Sequence, residues 1–402
     1  MKRLLAGLAA LLLLGMGSAP EKPWKKAIEM KAKGQVLRVV LSFDRDLDEV
    51  VWVSKMKERR GHAPSAEQDG DYQLVVRTSA GMTHFTTRFD LPHRDAPPPE
   101  EECITVDGLE ACRDPEPEGE PPQERAGHFA IVVPLRPDDY WVGIIYPDGR
   151  IIGHPIDGLR EDKPGKNRFK SHRPGRSTSD VEASTGNGVF DIAIVGDKFT
   201  SEATFNTKVD AALPFLLNFE PYKSRLTDIV LHRVQSAGLQ LGCYHSASMN
   251  RLIVCNYTKV VDAVLDAGAP YDKIIVLTSD GSYGGSGGGV YAVSYTGDKM
   301  KPVVVHEVGH TLAGLWDGYV LYGSNGPIRN QVEKNCYSGV PPTIWCPHGC
   351  GQGCAYPNWY RQKIRRADGT IGEDIMRQLG PKAYSESAEF VLDTKITWYA
   401  GN

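Results

Sequence analysis

A chain of 402 residues, 41% of them apolar, is long enough to bury two hydrophobic cores or slightly more. Its formal net charge of −4 gives no reason to expect nucleic acid or an anionic membrane as a partner.

The chain opens with Met1-Lys2-Arg3, followed by an apolar run from Leu4 to Met16. Such a run is too short to span a bilayer core of about 30 Å, so residues 1–19 read as a signal peptide, with Gly17, Ser18 and Ala19 as the cleavage region. The expectation is a secreted, extracytoplasmic chain that begins near residues 18–22 and has no stable membrane insertion after cleavage. Export sets how the eight cysteines are read: an even number in an oxidising compartment favours disulfides.

Within residues 20–160, the stretch 35–160 shows alternating segments, as in Val36-Leu37-Arg38-Val39-Val40-Leu41, Tyr72-Gln73-Leu74-Val75-Val76-Arg77 and His128-Phe129-Ala130-Ile131-Val132-Val133-Pro134. This predicts an all-β, sandwich-like N-terminal domain. The Pro- and Glu-rich stretch 96–125 reads as a protruding hairpin. Within it, a two-residue Asp107-Gly108 turn places Val106 opposite Leu109, and hence Cys103 opposite Cys112, as a disulfide pair. Residues 161–188 carry Lys163, Lys166, Arg168, Lys170, Arg173 and Arg176 among Pro, Gly and Ser. That composition buries too little apolar surface to order itself. It reads as a basic linker, either a spacer or a processing site that releases a propeptide.

From Val189 to Asn402 strands alternate with helices. Val189–Val195, Asp228–Val234 and Lys273–Thr278 read as strands. Ser201–Phe219, with Thr200 as N-cap, and Thr258–Ala267 read as helices. The order βαβαβ implies an α/β domain on a mostly parallel sheet. Cys243 and Cys255 bracket a short loop whose closure would stabilise by about 3 kcal/mol in the chain-entropy model. The glycine run 284–289 lacks the Lys-Ser/Thr and the following helix of a phosphate loop, so a nucleotide site is rejected.

The densest chemistry is His306-Glu307-Val308-Gly309-His310 with Asp317. Residues four apart share a helix face, so His306 and His310 can offer two ring nitrogens to one Zn²⁺. Glu307 beside them is placed to take a proton from a water that the metal acidifies. An unbroken helix would carry Asp317 about 10 Å past His310. The helix must therefore stop, and Gly314 is the natural stop. Asp317 is then the expected third ligand, and His348 in Cys346-Pro347-His348-Gly349-Cys350 is its rival. The connectivity among Cys336, Cys346, Cys350 and Cys354 stays open, with a structural zinc knuckle as the competing reading.

The string H-E-V-G-H-T-L-A-G-L-W-D-G-Y (306–319) resembles the active-site motif of the IgA-peptidase-like metallopeptidases, a family with a metzincin-like site. The resemblance extends over about 188–380. It includes Phe190–Asp197 with Phe199-Thr200, Glu220-Pro221-Tyr222, Gly284–Gly289, Tyr360-Arg361 and Ile375-Met376-Arg377. It implies a zincin-like catalytic domain, with Met376 as a hydrophobic floor under the ligands. It also implies an edge strand near the glycines that pairs with extended peptide, the glycines letting substrate backbone approach. The usual motif ends Leu-Ala-Asp-Glu-Tyr, and its Glu is Gly318 here.

The reading is a secreted zinc metalloendopeptidase acting on protein or peptide substrates. His306, His310 and Asp317 hold Zn²⁺, Glu307 is the general base, and Tyr319 or Tyr360 stabilises the oxyanion. The alternatives are an inactive binding module on the same fold, which Gly318 keeps open, and a zinc hydrolase of a non-protein amide.

Overall fold

The computed structural model describes residues 34–44, 49–61, 64, 70–90, 98, 102–106, 109–113, 126–156, 169–172, 189–247, 249–319, 335–338, 344, 346–354, 359–366, 369–381 and 383–400. The signal-peptide reading of 1–19 lies outside them.

The N-terminal part is built from antiparallel strands. Strands β1 (Gly34–Asp44), β2 (Glu49–Gly61), β3 (Tyr72–Thr78), β4 (Thr83–Phe89), β5 (Glu102–Val106), β6 (Leu109–Arg113), β7 (Ala126–Pro134), β8 (Asp139–Ile145) and β9 (Ile151–Pro155) follow one another. They form a three-stranded sheet, β2-β1-β7, and a four-stranded sheet, β4-β3-β8-β9. Leu37, Val39, Leu41, Phe43, Phe129 and Val133 from the first sheet meet Tyr72, Leu74, Val76, Phe85, Val142 and Ile144 from the second in one core. The hairpin β5-β6 stands apart and pairs Cys103 with Cys112 across its strands, in the expected register. The Cys103–Cys112 bond itself lies outside the described side chains.

Alternation along β1 has a second use. Its odd residues fill the N-terminal core, while Val36, together with Val132 of β7, joins a core cluster of the C-terminal part. Arg38, opposite Val132, forms an ion pair with Asp262 at 3.1 Å. Both faces of this strand are thus covered.

The C-terminal part centres on a six-stranded sheet, β10-β12-β11-β15-β17-β16. Its strands are β10 (Phe169–His172), β11 (Phe190–Asp197), β12 (Ile229–Val234), β15 (Lys273–Thr278), β16 (Gly285–Ser286) and β17 (Tyr291–Ser294), with β13 (Tyr244–His245) and β14 (Ile253–Val254) as a separate small pair. The four central strands are parallel and the two edges antiparallel. Four helices are present among the described residues: α1 (Glu202–Leu216), α2 (Tyr257–Ala267), α3 (Met300–Ala313) and α4 (Glu386–Tyr399). Strand β11 is buried along its whole length because helices cover both faces. Ile192 and Ile194 pack toward α1, α3 and α4, and Ala193 and Val195 toward α2. Ser201, rather than Thr200, caps α1 by accepting from the Thr204 N–H, and Asn256 caps α2 in the same way through Lys259.

Strand β10 corrects part of the linker reading. The expectation that basic composition keeps 161–188 from ordering fails for Phe169–His172, which pair with Leu231–Val234 of β12. Ladder hydrogen bonds come from the backbone, so a free sheet edge orders a segment that could not build a core of its own.

Beyond α3 come short strands β18 (Cys336–Ser338), β19 (Cys350–Gln352), β20 (Trp359–Gln362), β21 (Ile364–Arg365) and β22 (Ile371–Gly372). Disulfides join Cys243 to Cys255, as expected, and Cys336 to Cys354 and Cys346 to Cys350. The last two replace the zinc-knuckle reading, since the four sulfurs are taken up in two separate disulfides. Among the described residues no helix is long and apolar enough to cross a membrane.

Candidate active site

Helix α3 carries the motif through the core. Val304, Val305, Val308 and Leu312 pack on the face shared with α1 and α4, while Val303 reaches the opposite cluster. From Val303 to Ala313 every residue is buried, including His306, Glu307 and His310. The helix ends where the sequence requires it. Gly314 adopts the left-handed conformation, φ 56° and ψ 39°, and its N–H donates to the His310 carbonyl at 2.8 Å. That 5→1 bond is the αL-type stop that reverses the chain, and Leu315 N–H reaches back to the Gly309 carbonyl at 3.4 Å.

The reversal brings Asp317 to the histidines. His306 Nε2 and His310 Nε2 are 3.1 Å apart, and Asp317 Oδ1 lies 3.1 Å from the first and 3.2 Å from the second. The other nitrogen of each ring settles what these atoms are. His306 Nδ1 faces the Ile375 carbonyl at 3.0 Å and His310 Nδ1 the Leu315 carbonyl at 2.6 Å. A carbonyl only accepts, so each Nδ1 carries the hydrogen and each neutral ring turns its Nε2 lone pair inward. Two lone pairs and a carboxylate oxygen thus converge in a buried space, an arrangement that repels itself unless a cation sits among them.

The spacing suits zinc. Tetrahedral Zn²⁺ with bonds of about 2.0–2.1 Å needs ligand atoms roughly 3.3–3.4 Å apart, and all three observed edges fall close to that. The Glu307 carboxylate, fully buried, has an oxygen within 4.8 Å of a ring nitrogen of each histidine. It therefore flanks the triangle that Asp317 completes.

Residues 181–336, which contain this whole constellation, match the IgA Peptidase M64 family. No curated protein matches the chain. The family match supports a peptidase, a class of enzyme that acts on proteins or peptides. The match ends at Cys336, so Tyr360-Arg361 and Ile375-Met376-Arg377 lie beyond it.

The candidate site rests on elements downstream of the match. Met376 is fully buried, and its sulfur lies 2.9 Å from where a Cβ on Gly309 would stand, so the missing side chain lets the thioether reach the helix between the two histidines. The next acid, Asp374, anchors that turn by accepting from the N–H groups of Arg377 and Ser385. Burial pushes its carboxyl up to about 6, Glu373 adding to the rise and Ser385 and Arg361 opposing it. Tyr384 donates its hydroxyl hydrogen to the Val305 carbonyl at 2.5 Å. Gly318 donates its N–H to the Met376 carbonyl at 2.7 Å, and a Cβ there would stand 3.0–3.1 Å from Arg377 Cβ, Cα and N. At this position the chain packs against the methionine turn by having no side chain.

Other predicted residues fall elsewhere. His348 Nε2 faces Glu386 at 3.6 Å on the disulfide-bonded loop and takes no part in the triangle. Tyr319 is buried with its ring stacked 6.4 Å from that of His306. Tyr360 sits in β20, opposite Tyr337 and Gln352. In the glycine run the missing side chains face helix α3. A Cβ on Gly287 would strike the Glu307 carbonyl and His310 Cβ, one on Gly285 would lie 2.7 Å from Val303 Cγ1, and the Gly288 N–H donates to Thr311 Oγ1 at 2.9 Å. The glycines let the edge strand lie on helix α3. The sequence reading missed Asn335, whose amide bonds to the Trp316 backbone beside Asp317. Its place next to Cys336 was the one available signal.

Proposed function

We propose that the chain is a secreted zinc-dependent endopeptidase with a zincin-like, metzincin-type catalytic domain over 189–402, preceded by a β-sandwich-like domain over 20–160 and a basic segment over 161–188. The observation that carries the metal assignment is the convergence of two Nε2 lone pairs and Asp317 Oδ1, with both Nδ1–H groups committed to backbone carbonyls. His306, His310 and Asp317 would hold the ion. Zn²⁺ bound there would polarise the scissile carbonyl and acidify water. Glu307 accepts the proton of the attacking water and returns it to the leaving amine. Its burial keeps bulk water from competing for that proton. The carbonyls of Ile375 and Leu315 hold the two rings in the tautomer and orientation that coordination needs. Three disulfides among the described cysteines and the apolar run after Met1-Lys2-Arg3 support export.

Replacing Glu307 by Gln tests this reading, because the amide keeps the size of the side chain but cannot take a proton. Zinc content and thermal unfolding should stay at wild-type values, while cleavage of a denatured protein falls by about 10²–10⁴-fold. A mutant within a factor of two of an active wild type would refute the role. Zinc-loaded wild type that cleaves no peptide would favour the non-enzymatic reading.

A further inference from the structure

The third ligand stands on a loop rather than on the helix, so something must fix that loop after Gly314. Two hydrogen bonds grip its backbone one residue before Asp317. Trp316 N–H donates to Asn335 Oδ1 at 2.8 Å, and Asn335 Nδ2 donates to the Trp316 carbonyl at 2.6 Å. Asn335 is 3% exposed, so its amide stands in for a strand neighbour in a place where water does not compete. The next residue, Cys336, is bonded to Cys354, and the two sulfurs lie 3.9 and 3.5 Å from the Asp317 carbonyl oxygen. Cys354 is held in turn by its N–H donating to the Trp359 carbonyl at 3.1 Å, and the Trp359 ring packs on the Trp316 ring with centroids 5.0 Å apart. The path Trp316, Asn335, Cys336, Cys354, Trp359 and back to Trp316 closes on itself. Asp317 hangs from it, with Gly318 tied on the far side to Met376.

We propose that Asn335 is a positioning residue for the metal ligand Asp317, and that the Cys336–Cys354 disulfide makes metal retention depend on oxidation. This rests on the zinc reading of the site. A dithiol reductant opens the bond by passing two electrons and two protons to it, giving two thiols and its own cyclic disulfide. Asn335 is then no longer held against Trp316 by a covalent tie, and Asp317 loses its fixed distance from the histidines. The site then holds zinc more tightly where disulfides form.

The test is zinc affinity of the full chain, read by competition with a chromophoric chelator. The proteins compared are wild type, Asn335→Ala, the isosteric Asn335→Asp, which sets a carboxylate oxygen against the Trp316 carbonyl, and Cys336→Ser with Cys354→Ser. Cys346→Ser with Cys350→Ser is the control, since that pair lies outside the closed path. The first three variants should bind zinc about 10-fold or more weakly, with kcat restored at saturating zinc and KM for peptide unchanged. The control should stay within twofold of wild type. Asn335→Ala or Asn335→Asp binding within twofold of wild type overturns the positioning role, and a control pair that loses as much as the Cys336–Cys354 pair overturns the redox link. Wild type that takes up no stoichiometric zinc overturns the underlying metal reading instead. The isosteric variant keeps the question open to refutation if the cysteine pair fails to fold.

Discussion

Gly318 stands where the motif it resembles carries a glutamate, and the structure predicts what a side chain would do there. The smallest perturbation is Gly318→Ala. Its Cβ would meet Arg377 Cβ at 3.0 Å and Arg377 Cα and N at 3.1 Å. These atoms cannot give easily, because the Arg377 N–H is held by both the carbonyl and the carboxylate of Asp374. Overpacking of this kind costs roughly 1–3 kcal/mol, against which the narrower unfolded ensemble of alanine returns about 0.4–1 kcal/mol. The balance is a destabilisation of about 1–2 kcal/mol. Movement that relieves the contact also stretches the 2.7 Å bond from Gly318 N–H to the Met376 carbonyl, and Asp317 is the next residue. The expected result is a lower urea midpoint together with weaker zinc binding, and Gly318→Glu should be worse on both. Matched urea unfolding curves with and without zinc measure the two effects. A Gly318→Ala protein as stable as wild type, or more so, with unchanged zinc affinity would show that the turn at Arg377 yields and that the close approach carries no weight.

Three further outcomes are expected. Asp374 titrates near 6 when folded and near 3.8 when unfolded, so the folded state binds more protons between those values; stability should fall as pH rises from about 4 to about 6, and Asp374→Asn should remove that component of the slope in urea titrations run at several pH values. Replacing Cys243 and Cys255 by Ser should cost about 3 kcal/mol while leaving zinc affinity within twofold, since this loop lies on the α2 side of the sheet; loss of zinc along with stability would contradict the separation of the two. Val36→Ala with Val132→Ala should lower the unfolding midpoint of the peptidase part as well as the N-terminal part, by roughly 2–4 kcal/mol in sum; calorimetry showing an unmoved peptidase transition would mean that the interface contributes nothing to it.

The site was legible where its chemistry is local. His306, Glu307 and His310 are written at helical spacing, and Asp317 follows from one glycine that has to end the helix. The parallel sheet was legible because fully buried strands such as Lys273–Thr278 read as unbroken apolar runs. What supports the ligands left no such trace. The partners of the two histidines are the carbonyls of Leu315 and Ile375, and any residue supplies a carbonyl. The glycine run was visible, but glycine reports close approach without saying what approaches. Here it is the helix backbone. Strand β10 was hidden by the opposite bias, since its basic flanks describe a solvated segment while its pairing depends on β12, some sixty residues away.

Strand β10 also bears on where the catalytic unit can be said to begin. The family match starts at residue 181, yet the strand that finishes the sheet lies upstream at Phe169–His172. A fragment cut at the family boundary would leave β12 with an open side, its N–H and C=O groups from Leu231 to Val234 free to recruit a strand from another molecule. Such a fragment could carry every proposed metal ligand and still be lost to aggregation, through an edge that the rest of the chain had kept shut.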